Sequence, residues 1–563
     1  MSRNKSDNRL VRKRAGEIPL LQVFEKWLGF KETLERFIPS HGNEKISAAD
    51  TLLMLVYNVA CGRQPLYELD IWVQSLDSRM FDYKAFDAGV FNDDRFARAL
   101  DKLHSIDYAT MMTALVLKTI KVCDLDLDQI HNDSTTLKAF GKIQGQSKNG
   151  LYLARGHSKD HRPDLKQLVY SLTISADGSV PIHFKVYPGN RTDDTTHIET
   201  WETLQKIAGK RDFLYVADCK VCTDGQLSHI VRRGGRVVTI IPETWKEVRD
   251  FKNTLRIKKI PKRVILKRKV PNSQDDKIET FSCFSGNYLT SKRGYRIHWI
   301  YSTEKKKRDY LIREALLKRV EHELTDISSK LNARNLRTKK TIKEKVNEIL
   351  KRHGVEHLYH TDIGEVIEQE TRQIGTGRPG KNTQHKTFYN KIYSLSWTRS
   401  KRTLKIEKNI DGIFPILTTD QTVGAKETLE AYKYQPRLEK RFCQFKSVHE
   451  AAPLLFKKIE RVDAMMFVFF MALILQAVIE RTVRQTMKSS NIDAIPIYPE
   501  NRMAYHPTTA IIFDRFTDIS TYQIIDQRKG KIVAEYQDEL TSTQLKILDL
   551  LQIPEDTFWE FIS

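Results

Sequence analysis

The chain has 563 residues, 40% of them hydrophobic, and carries 93 Lys and Arg against 71 Asp and Glu for a net charge of +22. That composition excludes a wholly disordered chain, and the length provides for about three or four domains with sizeable cores. The six cysteines (Cys61, Cys123, Cys219, Cys222, Cys283, Cys443) form no disulfide framework, which indicates a reducing compartment, and Cys219-x-x-Cys222 lacks a second Cys/His pair at zinc-ligand spacing.

The opening MSRNKSDNRLVRKRAGEIPL is basic but leads into no apolar stretch with a small-residue cleavage site, so no secretory signal is expected. From Glu17 to about Val122 apolar residues recur at three- and four-residue spacing (Leu21, Phe24, Leu28; Leu52, Leu53, Leu55, Val56), which predicts an all-α N-terminal region. The period then changes. Short apolar or β-branched runs at 125–131, 167–174, 180–187, 213–218 and 236–241 read as strands. Ala176-Asp177-Gly178-Ser179 has hairpin-turn composition. Helices are expected from near Thr195, capped by Asp193 or Asp194, and over about 224–233, closed by Gly234-Gly235. Three strands with a hairpin, then helix, strand, helix, strand is the order of an RNase H-like α/β core. From about 243 to 419 the pattern is interrupted by strand-like pieces (263–270, 295–303, 412–419) and by a strongly charged helical stretch, 304–352, that reads as a helical hairpin. The run Ala464 to Ile479, 16 residues containing Gln476, is shorter than the roughly 20 a membrane span needs and reads as a buried core helix. A hairpin over 521–536 and a short helix after Thr541 follow. With no membrane signal, the positive charge points to a polyanion, most economically nucleic acid, although a merely basic protein has the same sum.

Asp133 follows strand-like residues in DQIHNDSTTL and Asp218 ends the run FLYVAD. The first and fourth strands of an RNase H-like order are neighbours, so the two carboxylates are expected side by side as hard oxygen ligands for Mg²⁺. A third acid would complete a two-metal site. It is sought in AYKYQPRLEKRFCQFK, where Pro436 sits in the first turn of a helix and Glu439, Phe442 and Lys446 share a face by i, i+3, i+7 spacing. That face presents a metal ligand and a cation for phosphate. His157 and His161 have i, i+4 spacing, but Lys159, Arg162 and Lys166 around them favour a phosphate-contacting loop over a zinc pair. Asn190 and His197 are candidates for shaping the site. GTGRPGKN (375–382) imitates a nucleotide-binding loop with Asn382 where Ser or Thr belongs, so no nucleotide cofactor is expected; its Gly377-Arg378-Pro379 suits either a minor groove or an exposed linker. Trp201, Trp245, Trp299 and Trp397 read as core residues.

The strings HNDSTTL (131–137), GHSKDHRPDLKQLVYSLTISADGSVPI (156–182), GNRTDDTTH (189–197), YVADCKVCT (215–223) and Y-x6-E-x2-F-x3-K from Tyr432 to Lys446 resemble DDE transposases of bacterial insertion sequences. The group resembled carries a Y-R-E-K signature and an insertion before the catalytic Glu. FNDDRFARALDKL (91–103) extends the likeness into the N-terminal region. The resemblance implies an RNase H-like fold and Asp133, Asp218 and Glu439 as a catalytic triad binding two Mg²⁺ or Mn²⁺ ions. It further implies cleavage at the ends of a mobile element and joining of the 3′-OH ends to target DNA. Tyr432 and Lys446 would grip phosphates beside the cleaved bond. Gln435 stands where the signature has Arg, and Arg437 offers that charge two residues later.

The layout that follows is a helical DNA-binding region at 1–122, which with its basic arm would recognise terminal inverted repeats, and the first part of the catalytic core at 123–242. A mixed β/helical insertion occupies 243–419, the second part of the core 420–490, and 491–563 is a candidate for dimerisation. Expected partners are double-stranded DNA and a second copy in the synaptic complex, on the nucleoid of a bacterial cytoplasm. A DNA-binding protein that lost transposition and a structure-selective nuclease on the same core are the alternatives.

Overall fold

The computed structural model describes residues 8–561 apart from 41, 43, 63, 84–88, 141, 142, 144, 157–161, 163, 192–195, 271–276, 286–289, 334 and 452–455. The chain divides into two units, Met1–Thr239 with Glu430–Ser563, and Ile240–Leu429.

The first unit begins with a strand, β1 (Asn8–Arg14), followed by helices α1 (Ile18–Leu28), α2 (Phe30–Phe37), α3 (Ala48–Ala60), α4 (Leu69–Ser75), α5 (Asp93–Ser105) and α6 (Tyr108–Cys123). Their starts are written locally: the side chains of Ser47, Asn92 and Asp107 accept from the backbone N–H of Asp50, Arg95 and Thr110. Gly29, at φ 65°, ends α1 in the left-handed conformation that lets α2 start at once. A sheet follows, built from β2 (Gln129–Lys138), β3 (Gln167–Ser175), β4 (Pro181–Pro188), β5 (Leu214–Val216) and β6 (Arg236–Ile240), with α7 (His197–Ala208) and α8 (Asp224–Arg232) in the crossovers. The strand order is β4-β3-β2-β5-β6. β2–β3 and β3–β4 are antiparallel, whereas β2–β5 and β5–β6 are parallel. The expected adjacency of the first and fourth core strands is therefore present.

The second unit holds α9 (Lys246–Ile257), β7 (Lys262–Lys269), β8 (Ile278–Phe284), β9 (Arg296–Ser302), α10 (Thr303–Ser328), α11 (Lys339–His353), β10 (Tyr359–Gln373), β11 (His385–Arg399), α12 (Lys401–Glu407) and β12 (Ile413–Thr418). β12, β9, β8 and β7 form an antiparallel array on which Phe251 of α9 stacks its ring 4.0 Å from that of Trp299. The charged stretch is a helical hairpin, α10 and α11. Its apolar seam (Leu317, Val320, Leu324, Val346, Leu350) closes over the root of the β10–β11 ribbon at Tyr359, Ile363 and Leu395. Beyond that root the ribbon is exposed, and GTGRPGKN forms its tip.

The chain returns through α13 (Ala425–Lys433), whose last residues belong to the first unit, then α14 (Gln435–Cys443), α15 (Ile459–Ser489), α16 (Thr509–Asp514), β13 (Ser520–Asp526), β14 (Lys531–Gln537), α17 (Ser542–Leu551) and α18 (Glu555–Glu560). α15 is long and apolar enough to cross a membrane, and its most apolar 18-residue stretch is wholly buried inside the protein. It packs against α1, α3, α5, α16, α17 and β4, so it joins the N-terminal helices to the sheet within the first unit. Gln476, the polar residue in that stretch, is satisfied: its Nε2 donates to Ala60 O at 2.9 Å and its Oε1 accepts from Gln444 Nε2 at 2.6 Å.

From Ile18 to Cys123 the described elements are helical, as expected, and the basic arm before them forms a strand: Asn8–Arg14 pairs antiparallel with Ser520–Asp526 of a β1-β13-β14 sheet. Arg12 Nε donates to Ser520, Lys13 Nζ to Gln74 O and Arg14 to Glu17, so three of the arm's cations are engaged within the protein.

Candidate active site

The β2–β5 register pairs Gln129 with Leu214, Ile130 with Tyr215 and His131 with Val216. Asp133 stands two residues further along β2, and Asp218 two residues past the end of β5 in extended backbone, so by the alternation of side chains both carboxylates are placed on the face of the His131–Val216 pair. Asp218 closes β5 as a cap: its Oδ1 accepts from Lys220 N at 2.9 Å and its carbonyl from Thr239 Oγ1 at 2.7 Å. His197, at the start of α7, donates or accepts through Nδ1 with Tyr215 Oη at 2.9 Å and places Nε2 3.8 Å from Asp218 Oδ1. It therefore does adjoin the site, whereas Asn190 is exposed at the turn after β4, beside the opposite end of β3.

The acid-bearing helix is docked by Gln435. This residue is buried, its Nε2 donating to Asn132 O at 3.0 Å and its Oε1 meeting His131 Nδ1 at 2.8 Å. Gln129 Nε2 lies 2.8 Å from His131 Nε2, so a neutral imidazole protonated on Nδ1 satisfies the whole chain. Burial pulls the His131 pKa down to about 4. The side chain at 435 thus anchors the acid-bearing helix to β2.

Glu439 is exposed one turn beyond Gln435. Burial first, then the charges of Asp218, Cys219, Glu439 and Asp133, push the Tyr432 phenol well above its usual range. One hydroxyl thus lies in the field of all three acids. The spacing argument for Lys446 needs correction. α14 ends at Cys443 and a π-helical turn follows over Gln444–Val448, so i+7 no longer repeats the face of Glu439. Phe442 is buried and does not share an exposed face with Glu439. The π turn is held where Phe445 stacks on Tyr170 with ring centroids 4.4 Å apart.

Arg437 lies two residues from Glu439, about 200° around the helix, and lines a separate cavity with Arg484 and His506. His157, Lys159 and His161 lie outside the described residues. Arg162 is exposed and paired with Asp164 at 2.7 Å. Lys166 is exposed; its carbonyl accepts from Ala139 N, six residues past Asp133 on β2 and roughly 20 Å along the strand.

Among the described residues no three His, Cys, Asp or Glu side chains form a closed metal cluster. The donor set nonetheless suits a hard cation in kind: carboxylate oxygens from two strands and a helix, none of them buried. Mg²⁺ keeps several waters and uses few protein groups, so an open set of this type fits it better than a cage would.

The buried imidazoles also set an acid limit. His131 and His183 both titrate near pH 4 in the folded chain because burial disfavours their charged forms. As pH falls from 6.5 toward 4 the unfolded chain binds protons that the folded chain does not, so stability is lost across that window. At pH 5 each costs about 2 kcal/mol relative to pH 7. Urea midpoints at pH 7 and pH 5 check this, and an unchanged midpoint would contradict the burial of both rings.

A protein-family model described as "Domain of unknown function (DUF4277)" matches residues 12–117, the helical region from β1 into α6. No curated protein matches the chain. Among solved structures, the chain is similar to a piggyBac transposase in a synaptic complex with hairpin DNA, at 10% identity over 50% of this chain and a TM-score of 0.28. It spans about 60% of the length of that protein, and at this score the likeness carries no weight for fold or function.

Proposed function

We propose that the protein is a DNA transposase on an RNase H-like core, cleaving the ends of its element and joining them to target DNA. The observation that carries the reading is the parallel pairing of β2 with β5, which puts Asp133 on one strand and Asp218 just past the end of the other, with Glu439 on a helix anchored to β2. In this reading Asp133, Asp218 and Glu439 hold two Mg²⁺ or Mn²⁺ ions, which when bound supply positive charge at the attacking and leaving oxygens of an in-line displacement. His197 and the Lys220 N–H keep the Asp218 carboxylate oriented, and Gln435 sets the depth of the Glu439 helix. Tyr432 orients the scissile phosphate, and Lys446, on the π turn after the acid-bearing helix, is left for that role only by the family resemblance. The site would act on double-stranded DNA in a bacterial cytoplasm, with two copies bridging two ends.

The test uses the full chain with labelled DNA carrying the gene's own flanks, in Mg²⁺ and in Mn²⁺. Nicking confined to the repeat boundary, followed by joining of the 3′ end to a second duplex, is the expected result. Equal cutting of generic junctions would replace it with a structure-selective nuclease. A second reading has an observation of its own: the three carboxylates do not close into a cluster among the described residues. Tight binding without cutting in either metal would establish that non-catalytic reading.

A further inference from the structure

A basic cavity of about 570 Å³ lies in the first unit, between the β3–β4 turn, the α13–α14 junction, the C-terminal half of α15 and the segment before α16. Ser179, Arg437, Arg484 and His506 also line an adjoining cavity of about 230 Å³, so these four stand where the two spaces meet. Arg437 faces away from Glu439 around α14, so this space is distinct from the carboxylate face.

Its cations outnumber the acids free to balance them. Arg437, Arg481, Arg484 and Lys488 line the larger space against Asp177 and Asp493. Asp177 is already bound to Arg481. Glu480, on the smaller space, is bound to Arg441 and Arg484. Arg437 has no ion pair or side-chain hydrogen bond among the described residues. Arg484 is held along the wall by Glu480 and by the carbonyl of Pro507, to which its Nη2 donates at 2.9 Å. Gly178, at φ 77°, is required here: a Cβ on it would come 2.7 Å from the Arg481 side chain, so the turn lets that arginine lie flat along the wall. His506 has its pKa lowered by burial and then by Arg437, Arg484 and Lys440, which shows how positive the space is.

We propose that this cavity binds a phosphate group, with Arg437 and Arg484 as its principal ligands and His506 at its rim. Guanidinium donors suit the tetrahedral oxygens of a phosphate, and Arg437 lines the space with no carboxylate partner to give up. The phosphate belongs either to a nucleic-acid backbone or to a free phosphorylated compound. The proposal does not rest on cleavage and stands for a chain with no nuclease activity.

The experiment compares the full-length wild type with Arg437→Gln and His506→Gln, two partly exposed positions whose replacement leaves the core intact. Calorimetric titration with inorganic phosphate is expected to show saturable binding that Arg437→Gln weakens at least about fivefold and His506→Gln to a smaller extent. In parallel, binding of a labelled duplex is measured as a function of salt. If the phosphate is a backbone group, Arg437→Gln lowers the slope of log affinity against log salt by about 1, and phosphate competes with the duplex. If phosphate binding depends on Arg437 but duplex binding and its slope do not change, the natural occupant is a free phosphorylated compound. Wild type and Arg437→Gln indistinguishable in both titrations would overturn the proposal.

Discussion

Asp218→Asn and Glu439→Gln each lower metal-dependent strand cleavage by about 10³-fold or more, while duplex affinity and thermal midpoint stay near the wild-type values. The expected size follows from the roles proposed. Loss of a group one step removed from a metal costs about 10–100-fold, and loss of a single group stabilising transition-state charge costs about 10²–10³-fold, so a direct ligand exceeds both. Fold is spared because neither side chain is buried. His197→Gln provides the contrast. It acts through Asp218, so a smaller loss, about 10–100-fold, is expected. Single-turnover cleavage of an end-labelled duplex measures all three. A rate for Glu439→Gln within tenfold of wild type would remove Glu439 from the reaction centre.

The second large effect is on stability. Arg441, two residues from Glu439 on the buried side of α14, donates through Nε to Ser179 O at 3.1 Å and through Nη2 to Gly178 O at 3.3 Å. Its Nη1 lies 3.0 Å from Glu480 on α15, and both side chains are almost fully buried. One guanidinium thus joins the acid-bearing helix to the β3–β4 turn and to the central helix. Arg441→Ala leaves two backbone carbonyls and a carboxylate without that partner, and the expected loss is about 3–5 kcal/mol. Arg484 remains 3.3 Å from Glu480 and keeps the loss from being larger. Adding Glu480→Gln to Arg441→Ala is expected to return about 1–3 kcal/mol, because the stranded charge is then gone. Urea unfolding of the two single variants and the double variant measures this coupling. A loss below about 1 kcal/mol for Arg441→Ala would show that water reaches the pair.

The residues legible in advance were those whose signal is local. Asp218 is placed by the end of an apolar run, whereas Asp133, expected just past a strand ending at His131, lies inside β2, which continues to Lys138; the neighbour relation of the two strands follows from strand order. Glu439 and the start of its helix followed from Pro436. What stayed hidden depends on partners far along the chain. Gln435 looks like a departure from a signature until His131, 304 residues earlier, is seen against it. The cavity of Arg437, Arg484 and His506 is assembled from separate elements, and no spacing in the sequence announces it. β10 and β11 escaped because their alternate residues are polar on both faces. GEVIEQETRQI has no apolar row to mark a strand whose sides are both wet. β1 escaped for a related reason: NRLVRKR is mostly charged, and its partner strand begins more than 500 residues later.

That pairing of early and late segments has a consequence for synthesis. α1, α3 and α5 emerge with their apolar faces complete, yet the helix that fills the space between them, α15, is translated more than 350 residues after α5. At about 5–20 residues per second the nascent helices wait roughly 20–70 s with that surface uncovered. A ribosome that stops anywhere in the second unit releases a chain with no central helix and no mate for β1. Such a product is a substrate for chaperones and proteases, so only chains read through to the last strands yield a folded first unit.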